Sequence, residues 1–271
     1  MSEPAASVII RAKDEAASIG RVIELVQSQE LDRGAVEVIV VDSGSTDGTG
    51  DIARSLGASV IDIPAESFTF GGSLNTGCEA AAAPILVALS AHAFPPDPRW
   101  LARMIGAFAD PAVACAYGCP NAPDGGALTE RVVQDETLAR RYPYWGYGNP
   151  AGGFRAELWR QRPFRADMPG TEDKEWAWYW LTRGMRAVID PALTVDHDHS
   201  KDSAPEIYRR FRREWQGYAM YLDMPRYPLG DLLREWWTER DGYSSTARAR
   251  LSHRRAARLA GSWVGRRTAR R

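Results

Sequence analysis

Short runs of β-branched residues alternate with amphipathic segments over the first hundred residues of the chain. Residues 7–10 and 36–41 predict two strands, and between them residues 16–29 carry apolar side chains at helical spacing, which predicts a helix. The rhythm then repeats: a helix over 47–56, a strand over 58–63, a helix over 73–83 and a buried strand over 85–89. This alternation predicts an α/β fold, with a mainly parallel central sheet covered on both faces and ligands gathered at the carboxyl ends of its strands.

Beyond Pro95 the pattern loosens. A helix is expected over 97–109, a strand over 112–117 and a Gly- and Pro-rich loop over 118–126. Residues 142–200 form a second block dense in Trp, Tyr and Gly. Helices are expected over 205–221, over 229–239 and from 246 onward, so the chain reads as a main body of residues 1–203 followed by a helical extension, 204–271.

With 271 residues, 44% of them hydrophobic, the chain has apolar material for one large domain with such an extension. The net charge of −1 hides a polarity: from Arg248 to the end there are nine Arg and no acid, leaving −10 on the rest. An acidic main body argues against nucleic acid as the partner. The tail mixes its arginines with Leu251, Leu259, Trp263 and Val264, which suits either a basic helix on an anionic membrane surface or a solvated end. Cys78, Cys115 and Cys119 form neither a disulfide framework nor a Cys-x-x-Cys pair. The start lacks a basic, then apolar, leader and no apolar run approaches about 20 residues. The expected location is cytoplasmic, with peripheral contact at the inner membrane face through the basic tail.

The first chemical signal is Asp42, the last residue of a buried strand, followed by Ser43, Gly44, Ser45, Thr46, Asp47, Gly48 and Thr49. A carboxylate at that point accepts hydrogen bonds from a ribose hydroxyl or a base N–H. Asp47 fits helix capping. With residues 7–15 ahead of it, the segment resembles family-2 glycosyltransferases, in which a strand, an Asn-Glu-like pair and a helix precede a second strand ending in Asp-x-x-Ser-x-Asp-Gly-Thr. Asp14 stands where the family has Asn. The resemblance extends to about residue 220 and implies the GT-A fold, with a donor half over 1–120 and an acceptor half over 121–203. The residues matching Glu15 and Asp42 contact the nucleoside in that family; Arg11, Ser43, Asn75, Ser90 and Ala91 complete the implied nucleotide-sugar set. Asn75 equally suits helix capping.

Residues 68–97 look like the family segment in which a Gly-rich turn and an Asn precede a helix, a strand and then the Asp-x-Asp cation site. Rhamnosyltransferase-like members have a shortened version, and in that alignment Ser90 and His92 occupy the two Asp positions. The resemblance implies a divalent cation, Mn2+ or Mg2+, and an imidazole ligand favours a transition ion. His197 and His199, two apart in an extended segment, face one side and match the family's later metal histidine; sequence does not separate them.

In PGTEDKEW, Thr171 can cap a helix with Glu172 and Asp173 in its first turn. The family's Glu-Asp pair falls here, which implies Asp173 as general base and Glu172 as orienter of the acceptor. Trp145, Trp176 and Trp178 suit either sugar stacking or core packing, the latter especially for Trp178. The expected activity is inverting transfer from a nucleoside-diphosphate sugar to an unidentified acceptor hydroxyl: a glycan, a lipid-linked sugar or a small molecule. A nucleotidyltransferase needs a Gly-rich triphosphate loop after the first strand, where this chain has Arg11 to Glu15, and no Gly-x-Gly-x-x-Gly supports an oxidoreductase. The alternative is a nucleotide-sugar-binding pseudoenzyme or scaffold.

Overall fold

Strand β1 (Ala6–Ala12) lies at the heart of the molecule, flanked by β2 (Val36–Asp42) and β4 (Ile85–Ser90), with β3 (Ser59–Asp62) outside β2. All of these pair in parallel. The later strands β5 (Val113–Tyr117), β6 (Val132–Gln134), β7 (Ala151–Arg155) and β8 (Arg186–Ile189) continue the same sheet, giving the order β3-β2-β1-β4-β7-β5-β8-β6. Antiparallel pairing admits only β7 and β6, so six of the eight strands run one way. The computed structural model describes residues 4–198, 200, 202–224, 227–238 and 252–268.

By chain contacts the protein divides into two units: Met1–Asp167 with Asp173–Asp198, and Met168–Glu172 with His199–Arg271. Sequence had set the boundary after residue 203 and had not assigned Met168–Glu172 to the later unit.

Successive residues of the central strands face opposite cores. Val8 and Ile10 join Val38, Val40, Val87 and Leu89 on one side, while Ile9 joins Ile39, Val41, Leu86 and Ala88 on the other. Strands buried on both faces read as unbroken apolar runs, which is why they were visible in the sequence. On the first side α1 (Ile19–Gln27) buries Ile19, Val22, Ile23 and Val26, one helical stripe. Helix α2 (Thr49–Ser55) starts two residues later than expected because Gly48 adopts φ 91°, a left-handed conformation outside the helix.

On the opposite side lies α3 (Phe70–Ala80), capped by Thr69, whose Oγ1 accepts from the Gly72 N–H at 2.9 Å. The expected Gly-rich turn is therefore the first turn of this helix. Its glycines serve close approach: a Cβ on Gly71 would lie 2.4 Å from the Arg165 carbonyl oxygen. One on Gly77 would meet Ile9 Cγ2 at 2.4 Å, so α3 rests directly on the sheet. The helix stops at Ala80, ahead of Pro84, rather than continuing to residue 83.

Helix α4 (Trp100–Gly106) ends in a 3₁₀ turn over Ala107–Ala109. Two elements escaped the sequence reading: β6, three residues long at the sheet edge, and α5 (Glu136–Arg141), capped by Asp135. Both are too short for periodicity to register. After β7 come α6 (Ala156–Gln161) and α7 (Glu172–Leu181). Cys78 and Cys115 are buried, and burial pushes both thiols up, so they pack as small apolar groups.

In the second unit, α8 (Ala204–Tyr218) opens with a capping box between Ser203 and Glu206. It is followed by α9 (Leu229–Thr238) and α10 (His253–Thr268). A Cβ on Gly261 would lie 2.5 Å from the Tyr208 carbonyl, and one on Gly265 2.5 Å from that of Arg212. Two glycines four apart thus bring α10 into backbone contact with α8. Arg255 is buried and donates to the carbonyls of Glu235 at 3.2 Å and Trp236 at 2.7 Å. The Arg266 guanidinium lies 3.5 Å from the ring centroid of Trp215 and 3.9 Å from that of Tyr227. Over 253–268 the tail is a packed helix, which corrects its reading as a solvated end. Among the described residues no helix is long and apolar enough to cross a membrane.

Gly77→Ala should lower stability by about 1–3 kcal/mol, because the new methyl must displace Ile9 or lift α3. Urea unfolding of the two proteins measures it; an unchanged midpoint would show that α3 does not rest on β1 as described.

Candidate active site

The parallel register brings the ends of three strands together. Ala12 pairs with Asp42 and Arg11 with Ser90, so the segments that leave β1, β2 and β4 start side by side. Their loops are then bolted to one another. Asp14, at φ 53°, donates its N–H to Ser45 Oγ at 2.9 Å and accepts from the Thr46 N–H at 2.8 Å. Glu15 donates its N–H to Thr49 Oγ1 at 2.8 Å. Asp47 accepts from the Ala16 N–H at 2.9 Å and from Thr49 Oγ1 at 2.5 Å. These bonds hold the Asp47 carboxyl below the usual range, Thr49 contributing most, then Ala16. Asp47 is thus a strut between two loops as well as a support for the start of α2.

Asp42 is 4% exposed and its Oδ1 accepts from the Ser45 N–H at 2.8 Å. Its Oδ2 lies 2.9 Å from where a Cβ on Gly50 would be, so glycine at 50 leaves room for the carboxylate. Ser43 is buried, and its Oγ has no hydrogen-bond partner among the described residues. Such a hydroxyl costs roughly 1–3 kcal/mol unless satisfied, which is tolerated chiefly where function requires it. Arg11 Nη1 donates to the Phe70 carbonyl at 2.5 Å, linking β1 to the start of α3.

After β4 the chain turns sharply, the Ala93 N–H bonding the Ser90 carbonyl at 3.1 Å. Ala91 is buried, and His92 is turned toward the β1 loop. Its Nδ1 lies 2.8 Å from Glu15 Oε1, and its Nε2 3.4 Å from Ser90 Oγ. The other Glu15 oxygen accepts from Ser18 Oγ at 2.9 Å. Burial acts to raise the Glu15 pKa, but the bonds from His92 and Ser18 outweigh it and the carboxyl is held below its usual range. An ionised Glu15 only accepts, so in the neutral imidazole Nδ1 carries the proton and Nε2 the lone pair.

His197 enters the same cluster through an antiparallel bridge between Phe94 and Asp196. Its ring is nearly parallel to that of His92, at 19°, with centroids 4.8 Å apart. The structure therefore unites His92 and His197, far apart in sequence, and adds Glu15 beneath them. His199 lies outside the described residues. Among the described residues no group of three or more His, Cys, Asp or Glu is arranged to hold a metal ion.

Asp173 approaches from the other side of the sheet's sequence. Its Oδ2 accepts from the Asn149 N–H at 2.9 Å and its Oδ1 from the Lys174 N–H at 2.8 Å. The next carbonyl, that of Pro150, accepts from the Ser90 N–H at 2.9 Å. Two consecutive residues thus connect Asp173 to the end of β4. Burial foremost, then Cys119 and the charge of Asp173, push the Tyr117 phenol upward. Thr171 has φ 61° and its buried Oγ1 makes no hydrogen bond among the described residues, so it does not cap α7 as expected. Glu172 is 3% exposed and belongs by its contacts to the second unit.

The Asn75 amide is fully engaged: it donates to the Phe164 carbonyl at 2.8 Å and accepts from Trp159 Nε1 at 2.9 Å and the Phe164 N–H at 3.0 Å. Its side chain fastens α3 to the segment after α6. Trp176 is core, its indole N–H on the Arg162 carbonyl at 2.7 Å. Trp145 and Trp178 line a recess with Gln134, Tyr142 and Lys174. Sequence reasoning missed Ser18 and Asn149; Ser18, three residues after Glu15, was open to detection, whereas Asn149 acts through its backbone.

A sheet whose parallel strand ends gather acidic, hydroxyl and imidazole groups defines a nucleotide-sugar type of α/β protein. The sequence profile described as Glycosyl transferase family 2 matches residues 7–167, and the chain belongs to that family. Glycosyltransferase AglE of Haloferax volcanii is 34% identical over 134 residues, 47% of this chain and 44% of that protein. A 4,4'-diaponeurosporenoate glycosyltransferase of Staphylococcus aureus is 41% identical over 59 residues, 22% of this chain and 15% of that protein. The chain thus matches less than half the length of either relative. Among solved structures, mannosyltransferase PcManGT from Pyrobaculum calidifontis, in complex with GDP-Man and Mn2+, superposes with a TM-score of 0.68 at 20% identity, covering 97% of this chain and 86% of that one. Glucosyl-3-phosphoglycerate synthase from Mycobacterium tuberculosis, in complex with UDP, gives 0.60 at 20% identity, covering 82% and 79%. These likenesses establish the GT-A fold.

The lowered Glu15 pKa has a signed consequence. The carboxylate contributes stability above its unfolded value, and that contribution is lost as pH falls through the lower folded value. The stability difference between the parent and Glu15→Gln should therefore be full near neutrality and shrink on acidification below about pH 4.5. Thermal unfolding across pH measures it; a pH-independent difference would remove the ionised Glu15–His92 contact.

Proposed function

We propose that the protein transfers a sugar from a nucleoside-diphosphate sugar to an acceptor hydroxyl with inversion at the anomeric carbon. The observation that carries this reading is the short bridge Ser90–Pro150 and Asn149–Asp173, by which a carboxylate from the later half of the chain meets the edge that bears Asp42 and His92. Complexes of proteins sharing the fold with GDP-Man and with UDP support a nucleoside-diphosphate donor.

In this reading Asp42, with Ser43 beside it, receives the nucleoside. Ser90 and Ala91 line the path of the diphosphate. Glu15 acts differently from the family pattern: it is a positioning residue that fixes the His92 tautomer and points the Nε2 lone pair away from itself. Arg11 and Asn75 shape the site by holding α3 and the segment after α6.

The donor set suits a divalent cation of the transition type, since an imidazole nitrogen with a defined lone pair is a better ligand for Mn2+ than for Mg2+. His92 and His197 would hold it, with His199 sharing that assignment on sequence. When bound, such a cation neutralises charge developing on the departing diphosphate.

Asp173 is the general base. Its two backbone N–H partners fix the plane of the carboxylate while leaving lone pairs on both oxygens for the acceptor hydroxyl. Inversion requires the acceptor oxygen to attack from the face opposite the diphosphate, and one carboxylate on that side suffices to take its proton. Glu172, adjacent in the chain, orients the acceptor.

The second reading, a protein that binds the donor without transferring the sugar, is favoured by Ser90 and His92 standing where the family pattern has two aspartates. One experiment separates the two. A thermal-shift screen of uridine, guanosine and thymidine diphosphates and their sugars, with and without Mn2+, identifies the donor by stabilisation. Turnover of that donor is then measured. Asp173→Asn should retain the shift but lose about 10²–10⁴-fold in kcat. Equal turnover would remove Asp173 as base, and a shift with no turnover in the parent would establish the binding protein. His92→Ala should weaken donor affinity in Mn2+ and leave it unchanged in chelator; a parent whose affinity ignores chelator would refute the cation.

A further inference from the structure

Helix α9 is built the wrong way round for a helix on a protein surface. Its outward stripe is Leu229, Leu233 and Trp237, 56, 54 and 65% exposed and four residues apart, hence on one face. Its acidic side chain Glu235 is turned to the protein instead: Tyr227 Oη donates to its carboxylate, and Arg258 Nη1 lies 3.8 Å from its Oε1. Arg255 closes the same inner side by donating to the carbonyls of Glu235 and Trp236. The apolar stripe is thereby fixed toward solvent rather than left there by a loose helix. The charged side chain most open on α9 is Arg234, 74% exposed, while Asp231 beside it is half-buried and paired to it at 3.2 Å.

We infer that this face of α9 docks on an anionic lipid surface, with Leu229, Leu233 and Trp237 entering the headgroup boundary and the surrounding positive charge drawing the protein to it. Charge complementarity selects that occupant. From His199 to the end the sequence holds 17 Lys and Arg against eight Asp and Glu. A basic unit presenting Leu and Trp on an amphipathic helix is the composition that binds the interface of acidic bilayers. A second copy is disfavoured by the same charge, since an isologous pairing of α9 would bring two basic faces and two Arg234 together. The chain's own remaining segments offer no cover: residues 239–251 contain only Tyr243 and Leu251 as large apolar side chains. The tail helix α10, by contrast, spends Arg255 and Arg266 on carbonyls and aromatic rings, so the membrane contact expected of the tail passes to α9. This inference stands independently of the catalytic reading.

The test is flotation of the full chain with vesicles of phosphatidylcholine alone and of phosphatidylcholine mixed with phosphatidylglycerol. The parent should float with the mixed vesicles, much less with the neutral ones, and less as salt rises. The double variant Leu233→Ser, Trp237→Ser should lose at least about tenfold in partitioning, while its circular dichroism and thermal transition match the parent because both side chains are exposed. Arg234→Glu should weaken binding to the mixed vesicles with no effect on folding. A parent that stays with the unbound fraction, or a double variant that floats as well as the parent, overturns the proposal. So does a parent that light scattering shows to be dimeric, is made monomeric by the double substitution, and ignores vesicles; in that case α9 pairs with a second copy.

Discussion

The burial of β1, β2 and β4 on both faces is the constraint from which the site follows. Each strand has one residue per face to place in a core, so a shift by one position would exchange the two cores and expose neither set to a suitable partner. The register is accordingly fixed, and with it the level at which the three strands end. Asp42 and Ser90 stand on either side of the β1 terminus because the apolar residues before them can pack in only one alignment. The loops beyond are then secured by polar bonds rather than packing: Asp14 to Ser45 and Thr46, Glu15 to Thr49, Asp47 to Ala16.

Within that edge the chemistry departs from a pair of carboxylates. An imidazole is a weaker partner for a hard cation but a directional one, and its direction depends on which nitrogen holds the proton. Glu15 makes that choice here, and Ser18 in turn holds Glu15. A residue that family resemblance assigned to the nucleoside is thereby occupied with orienting another side chain. Asn75 shows the same shift: its amide is consumed by Phe164 and Trp159, so its influence on the site runs through the placement of α3.

The C-terminal unit solves a different problem, the packing of a helix carrying many positive charges. Gly261 and Gly265 allow backbone contact with α8, and the arginines that remain near the interface find carbonyl oxygens or aromatic faces. One result is that α9 keeps its acidic residue inward and its apolar stripe outward. Positive charge and exposed apolar surface, which the sequence suggests for one tail helix, are divided between two.

Much of the architecture was determined by the sequence alone. The apolar runs of the parallel strands, the stripe of α1 and the Asp42 turn specify an α/β sheet with a functional carboxyl edge, since periodicity and turn chemistry are local properties that the chain displays directly. The family followed from the order of those motifs. Short elements such as β6 and α5, the inclusion of Gly71 and Gly72 in a helix, and the left-handed Thr171 were not legible, because each is settled by what packs against it. The site divides in the same way. Asp42, His92 and Asp173 were nameable from motif position, but the Glu15–His92 bond, the ring pair with His197 and the Asn149–Pro150 bridge join residues dozens of positions apart. Only tertiary structure decides such contacts, because they depend on where whole strands and helices come to rest and not on any residue's neighbours in the chain.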